Sequence, residues 1–410
     1  MNDVSQRVAI IGAGPAGLMA AQVLTQNGVG VDIFDAMPSM GRKFLMAGKS
    51  GLNITHAEDT QDFLSRYGEN TRLQDMVANF GAQDIIAWMQ ELGIEPHTGP
   101  TGRVFPSMMK SSPLLRAWLV RLQEKGAQLH ARHQWQGWNN AGELVFKTPT
   151  GVVNLKPAAS VFALGGGSWK RLGSDGAWLD KFMEQGVSSA PFAPSNNGFI
   201  VDWSDRIRDE FAGHPIKSVQ VSVGQQATRG EFVITRKGVE SGAIYTVSAS
   251  LREQLNAYGT ATLLLDLLPD ISEGVLGEKL QKPRGKLSLS NYLRKVTGLK
   301  GVKMALVYEG ADKAALNDND YLVRRLKALP LKVTSAAPLD EAISTIGGVQ
   351  WSALDDGLMV KEKPGVFCAG EMIDWDAPTG GYLITACMAT GRAAGLGVAN
   401  WLKATSQIEA

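Results

Sequence analysis

Arg7-Val8-Ala9-Ile10-Ile11-Gly12-Ala13-Gly14-Pro15-Ala16-Gly17 opens a segment that runs on through Val29 and closes at Phe34-Asp35. An apolar run meets Gly-x-Gly-x-x-Gly, a helix-patterned stretch follows, and a second apolar run ends in an acid. Strand, glycine turn, helix, strand and acid in that order spell a dinucleotide-binding fold in its full context. Gly12 permits the tight turn, Gly14 lets the backbone approach a pyrophosphate, and Gly17 lets helix and strand pack closely. The helix starting at Pro15 and Ala16 offers free N–H groups and a partial positive charge to the diphosphate. Asp35, about 20 residues past the turn, would accept hydrogen bonds from the adenosine ribose and repel a 2′-phosphate.

Residues 364–395 form a second constellation. Pro364 to Gly370-Glu371 is another apolar strand that ends in glycine and an acid, followed by Trp375 and by Thr379-Gly380-Gly381-Tyr382. An apolar helical run then extends to about Gly395. A strand returning at the end of the chain suits the second half of a flavin site. Glu371 would accept hydrogen bonds from ribityl hydroxyls, and Gly370 would avoid a clash with the neighbouring chain. Gly380 and Gly381 would bring the backbone near the ring, where the helix dipole favours negative charge on a reduced flavin.

Between these ends the texture varies. Gly41-Arg42-Lys43 to Gly48-Lys49-Ser50-Gly51-Leu52-Asn53 reads as a glycine- and lysine-bearing loop, and residues 60–95 read as helical. Ser112 caps a helix that reaches about Gly126. Residues 128–138 read as a strand in which His130 and His133 point to opposite faces. Ala159 to Ser168 is a short buried strand ending in Gly165-Gly166-Gly167. From about Pro191 short alternating strands take over, and residues 269–328 turn helical and more charged. The expected architecture is an α/β, Rossmann-like nucleotide-binding domain from residues 1–190 and 341–410. It is interrupted by a β-rich insertion, 191–268 and 329–340, that carries the helical subdomain 269–328.

At 410 residues the chain can hold two or three domains. Its 41 basic and 40 acidic residues leave a net charge of +1, with no long single-sign run expected. That balance argues against a dedicated nucleic-acid partner. No apolar run approaches the ~20 residues of a membrane helix. The N-terminus enters the first strand almost at once, so no signal peptide is expected. Two cysteines, Cys368 and Cys387, lack CxxC spacing and read as packed small hydrophobes in a cytoplasmic protein. The five histidines show no metal-ligating pattern. The oligomeric state leaves no mark on the sequence.

Four blocks resemble a family of FAD flavoproteins whose members include aminoacetone-oxidase-like proteins and a flavoprotein of bile-acid dehydroxylation. They are Ile11 to Gly17; Gly41-Arg-Lys with Gly51-Leu-Asn53-Ile-Thr; Ala163-Leu-Gly-Gly-Gly-Ser168-Trp with Gly173-Ser; and Gly370-Glu-Met-Ile-Asp with Pro378-Thr-Gly-Gly-Tyr382. The resemblance spans the chain and implies non-covalent FAD held by these blocks, with a β-barrel-like insertion between the last two. One block departs from the pattern. The family's Gly-Gly-Gly-Arg-Cys-Asn is here Gly48-Lys49-Ser50-Gly51-Leu52-Asn53, so an arginine and a cysteine are missing and their roles do not carry over.

The expected activity is FAD-dependent oxidation or reduction of a small organic substrate, with hydride passing through flavin N5. An NAD(P)H-dependent reductase comes first, with NADH or NADPH bound transiently because no second complete nucleotide fingerprint is present. An amine-type oxidase using oxygen and an RNA-associated flavoprotein are the alternatives. Arg42 and Lys43 would neutralise the diphosphate or sit near the ring. Lys49, Trp169, Trp375 and His56 are candidate catalytic groups, the two tryptophans as an aromatic slot and His56 as a proton donor.

Overall fold

Val8–Ile11 is the middle strand of a five-stranded parallel sheet. In the computed structural model, which describes residues 7–48 and 51–408, the sheet order is Val366–Cys368, Ala159–Phe162, Val8–Ile11, Val31–Asp35, Gln128–Ala131. All four strand pairs run parallel. The first four of these strands are almost wholly buried, as expected for a sheet covered on both faces. A strand from residue 366 can join one from residue 8 because the helices beside them touch closely. The C-terminal helix Tyr382–Ile408 lies along Pro15–Gln26. A Cβ at Gly391 would collide with the Ala16 backbone, and one at Gly395 would come within 2.9 Å of the Ala20 carbonyl. Small residues on both helices thus draw the two chain ends into one domain.

Two compact units result. One ends at Ala193 and resumes at Ser344; the other is Pro194–Ile343. The second is built on a closed, six-stranded antiparallel barrel, in the order Phe199–Val201, Gly238–Glu240, Gln226–Ile234, Pro215–Val223, Ala261–Asp266, Leu329–Ala336. Period-two alternation buries Val219, Val221 and Val223 on one strand and Leu263 and Leu265 on another, filling the barrel with branched side chains. Between the last two strands come four helices, Glu273–Leu280, Leu289–Thr297, Gly301–Tyr308 and Asn319–Lys327. Among the described residues no helix is long and apolar enough to cross a membrane.

Several local expectations need correction. The segment after Gly41 is not all loop: Arg42–Ala47 is a helix, entered through Gly41 at φ +65°. Residues 60–95 break into three helices, Thr60–Ser65, Thr71–Ala78 and Ala82–Glu91. Asp59 and Asn70 side chains cap the first two and set those breaks. Ser112 caps nothing: its helix begins at Ser111 with Lys110 in the cap position, and the Ser111 hydroxyl donates to the Leu45 carbonyl. The run 128–138 is two strands, broken where Arg132 turns to φ +58°. His130 and His133 therefore do not face apart. Both rings close on Phe34, at 4.7 and 5.7 Å, and lie 5.4 Å from each other.

Candidate functional site

The first glycine turn contains glycines of two kinds. At Gly12 (φ +105°) a Cβ would collide with the Ala163 carbonyl, and at Gly17 with the Gly12 carbonyl. Those two are required by the protein's own packing. Gly14 has an ordinary φ of −80°, and nothing lies within 4 Å of where its Cβ would be. It occupies the N-cap of Pro15–Gln26, Pro15 begins the helix, and no side chain caps it. Without a side-chain cap, the N–H groups of that first turn carry the partial positive charge that suits an anion.

Asp35 is tied into the same turn. Its carboxylate accepts the Ala13 N–H at 3.1 Å and the Met37 N–H at 2.8 Å. Burial raises its pKa, and the two N–H groups offset only part of that. Each oxygen keeps a lone pair, which is what ribose hydroxyls need. Asp32, three residues earlier, behaves oppositely. Burial would raise its pKa, but hydrogen bonds from His130 and Arg7 outweigh that and hold it below the usual carboxylate range.

Lys43, at the start of the Arg42–Ala47 helix, donates to Glu371 at 2.8 Å and to the Ser168 hydroxyl at 3.2 Å. Glu371, only 7% exposed, also accepts the Thr345 N–H at 3.1 Å and the Gly166 N–H at 3.4 Å. One carboxylate therefore joins four chain segments, and the Lys43 charge is answered by it. Gly165 and Gly166 leave room for Ser174 and Thr345 respectively. Gly370 (φ +79°) leaves room for Ala16, 2.7 Å from where its Cβ would be. Arg42 Nε and Asn53 Oδ1 are buried yet have no hydrogen-bond partner. Gly48 is closed in by Ser111 and Gly51 by Met109. Lys49 and Ser50 lie outside the described residues.

A third cluster surrounds Tyr382, at the start of the C-terminal helix. Gly380 and Gly381, both at positive φ, turn the chain after the half-buried Thr379, and Gly381 lies against the Thr55 backbone. The Tyr382 hydroxyl donates to Glu58 at 2.6 Å, and Arg66 grips the same carboxylate with two N–H groups. The His56 ring stacks on Tyr382 at 5.5 Å, with its buried Nδ1 unpartnered and 3.9 Å from Glu58. Tyr67 donates to the Tyr382 carbonyl at 3.0 Å. Burial would raise the Glu58 pKa, but hydrogen bonds from Arg66 and Tyr382 pull it below its ordinary value. Burial and the carboxylate partner push the Tyr382 phenol well up, so it holds its proton throughout the physiological range. Sequence reasoning singled out His56 and Tyr382 separately; Glu58, Arg66 and Tyr67 carried no local signal.

Of the remaining candidates, Trp375 and the two cysteines are packed and Trp169 is half-buried. Trp375 is 5% exposed and donates its indole N–H to the Gly370 carbonyl at 2.9 Å. Trp169 is half-buried at φ +65°, with the Arg171 guanidinium 5.3 Å from its ring. Cys368 and Cys387 are buried free thiols; burial pushes both pKa values up, that of Cys387 to about 12. Neither is a thiolate at neutral pH.

The open face at Gly14 and the unpartnered Arg42 Nε and Asn53 Oδ1 fit a large polar cofactor such as FAD. Residues 6–397 match the family model described as "HI0933-like protein Rossmann domain". A 3-dehydro-bile acid delta(4,6)-reductase of Clostridium scindens is 20% identical over 95% of this chain and 98% of its own. A ribosomal RNA dihydrouridine synthase of Haemophilus influenzae is 22% identical over 93% of this chain and 95% of its own. Among solved structures, the open form of a flavocytochrome c3 fumarate reductase shares the fold, with a TM-score of 0.53 at 18% identity. That match covers 97% of this chain and 78% of the other. Gly-x-Gly-x-x-Gly turn, returning C-terminal strand and inserted barrel together place the chain in one group: it belongs to the HI0933-like family of FAD-dependent oxidoreductases.

Proposed function

We propose that this protein is an NAD(P)H-dependent reductase that saturates a carbon–carbon double bond conjugated to a carbonyl. The observation that carries the reading is the pairing of an open nucleotide cradle at Gly14 with a proton-holding cluster at Tyr382. Bound FAD supplies a hydride to the electron-poor carbon. The protein supplies the rest. The first-turn N–H groups of Pro15–Gln26 receive the diphosphate and Asp35 the ribose, while the Glu371–Lys43 pair fixes the segments around them. Saturation also needs a proton, and His56, stacked on Tyr382 with its buried Nδ1 free of any hydrogen bond, is the group offered for it, while Tyr382 and Glu58 hold that ring in place. The names of both full-length relatives support this chemistry: a delta(4,6)-reductase removes conjugated double bonds, and dihydrouridine is uridine with its ring double bond saturated. The acceptor is accordingly a small conjugated ketone or, on the second relative's example, a uracil base in RNA.

Anaerobic titration of the FAD-loaded protein with NADH and NADPH tests the reading. Bleaching of the flavin absorbance by one of them, reversed by a conjugated ketone or by uridine-containing RNA, is the expected result. Failure of both nucleotides, with bleaching by an amine and peroxide release in air, would replace the reductase with an oxidase.

A further inference from the structure

The net charge of +1 conceals a sharp segregation. Residues 279–308 contain eight basic residues and no acidic one, leaving 33 basic residues to face all 40 acidic ones elsewhere. No consecutive run betrays it, because the charges are spaced through helix and loop. Six of the eight, Lys282, Arg284, Lys286, Arg294, Lys295 and Lys300, are exposed. None of these six forms an ion pair among the described residues, whereas Arg229 and Lys327 of the same unit are paired with Asp270 and Asp266.

The segment is built to present them. Residues 281–288 form a loop in which every residue is exposed to some degree. Tyr292 fastens its base, with a hydroxyl lying 2.7 Å from the Leu280 carbonyl and 2.9 Å from the Lys282 carbonyl. The helix Leu289–Thr297 turns Tyr292 and Leu293 inward and leaves Arg294 and Lys295 outside in its last turn. Those two also complement the helix dipole, which accounts for two charges of the six. Lys303 has a structural task, bonding the Ser218 and Leu267 carbonyls. Arg284 donates to the Asn317 side-chain oxygen at 3.3 Å, a neutral partner that leaves its charge unanswered. Lys282, Lys286 and Lys300 have no side-chain acceptor among the described residues.

We propose that this surface docks the phosphate backbone of RNA. Exposed cations without a carboxylate partner, spread over a loop and an adjoining helix, suit a repeating line of phosphates. A membrane surface fits less well, because the apolar face of Leu289–Thr297 is spent on the protein's own core and Leu287, 38% exposed, is the one large apolar side chain the loop offers. The inference rests on the RNA form of the acceptor reading.

The test uses the full-length, FAD-loaded protein, bulk tRNA on nitrocellulose filters, and a salt series without any electron donor. Binding should weaken with a log–log salt slope of about −3 to −5, the signature of four to six released counterions. The variant Lys282→Glu/Arg284→Glu/Lys286→Glu should lose at least tenfold in affinity with FAD content and melting temperature unchanged. Lys237→Glu/Lys332→Glu, exposed basic residues of the barrel, should stay within about twofold, as expected of sites outside the contact. Absence of salt-sensitive retention, equal loss in both variants, or capture by anionic phosphatidylglycerol vesicles that tRNA cannot displace would each overturn the proposal. Because no electron donor is present, a failure here leaves the nucleotide titration standing, and a failed titration leaves this surface standing.

Discussion

The two glycine-rich ends of the nucleotide-binding unit look alike in sequence and serve opposite purposes. In the first, Gly14 faces empty space between two glycines that are jammed against backbone. In the second, Gly370, Gly380 and Gly381 all sit at positive φ, and each absent side chain is replaced by the protein's own atoms: Ala16, the Tyr382 ring and the Thr55 backbone. The first region leaves space beside the Gly14 backbone, where the proposed cofactor would approach. The second is a joint closed on itself, which holds Glu371 and Tyr382 in place. A glycine is thus evidence of a ligand only when its missing Cβ points at nothing.

That contrast is open to direct attack. Gly12→Ala and Gly381→Ala combine a positive φ with a backbone clash, so each should cost about 3–5 kcal/mol in urea unfolding or abolish soluble protein. Gly14→Val should instead leave the stability within about 1 kcal/mol of the parent apoprotein while the protein purifies colourless. A yellow Gly14→Val protein would mean that the pyrophosphate lies elsewhere. Next in size is Glu371→Gln, which leaves Lys43 without its counter-charge. With Lys43 a quarter exposed, a loss of about 2–3 kcal/mol in the apoprotein is expected. If that variant lost only FAD affinity, Glu371 would belong to the cradle rather than to the joint. Tyr382→Phe removes a single hydrogen bond to Glu58 and should cost about 1 kcal/mol.

The smallest effect separates the two acids of the second strand. The lowered pKa of Asp32 means that its stabilisation is complete above its ordinary 3.8 and fades as pH falls through its lower folded value. Asp32→Asn should therefore flatten the acid limb of the stability curve below about pH 4. Asp35, raised by burial, has the opposite sign: its ionised form burdens the folded apoprotein, and protonation on acidification relieves it. Urea midpoints measured from pH 3 to 7 distinguish the two.

Much of the fold was legible because its signals are short-range. The turn at Gly12, the acid at Asp35 and the alternation of the barrel strands are written within single segments, where sterics and a period of two leave few choices. The cluster at Tyr382 was not legible, since Glu58 lies 324 residues away and has no motif of its own. The meeting of His130 and His133 was also hidden, because it depends on one left-handed residue, Arg132. Trp375 illustrates the converse: its place beside a motif suggested an open aromatic wall, and packing made it part of the core.

By itself, then, the sequence determined a nucleotide-binding α/β domain closed by its own C-terminus and opened by a β-rich insertion, because strand period, glycine φ and helix start are local properties. Only the tertiary structure decided which glycine is open, which cation is answered by which acid, and which phenol holds its proton. Those depend on distances between residues more than 300 positions apart, such as Lys43 and Glu371, which the packed chain brings to 2.8 Å.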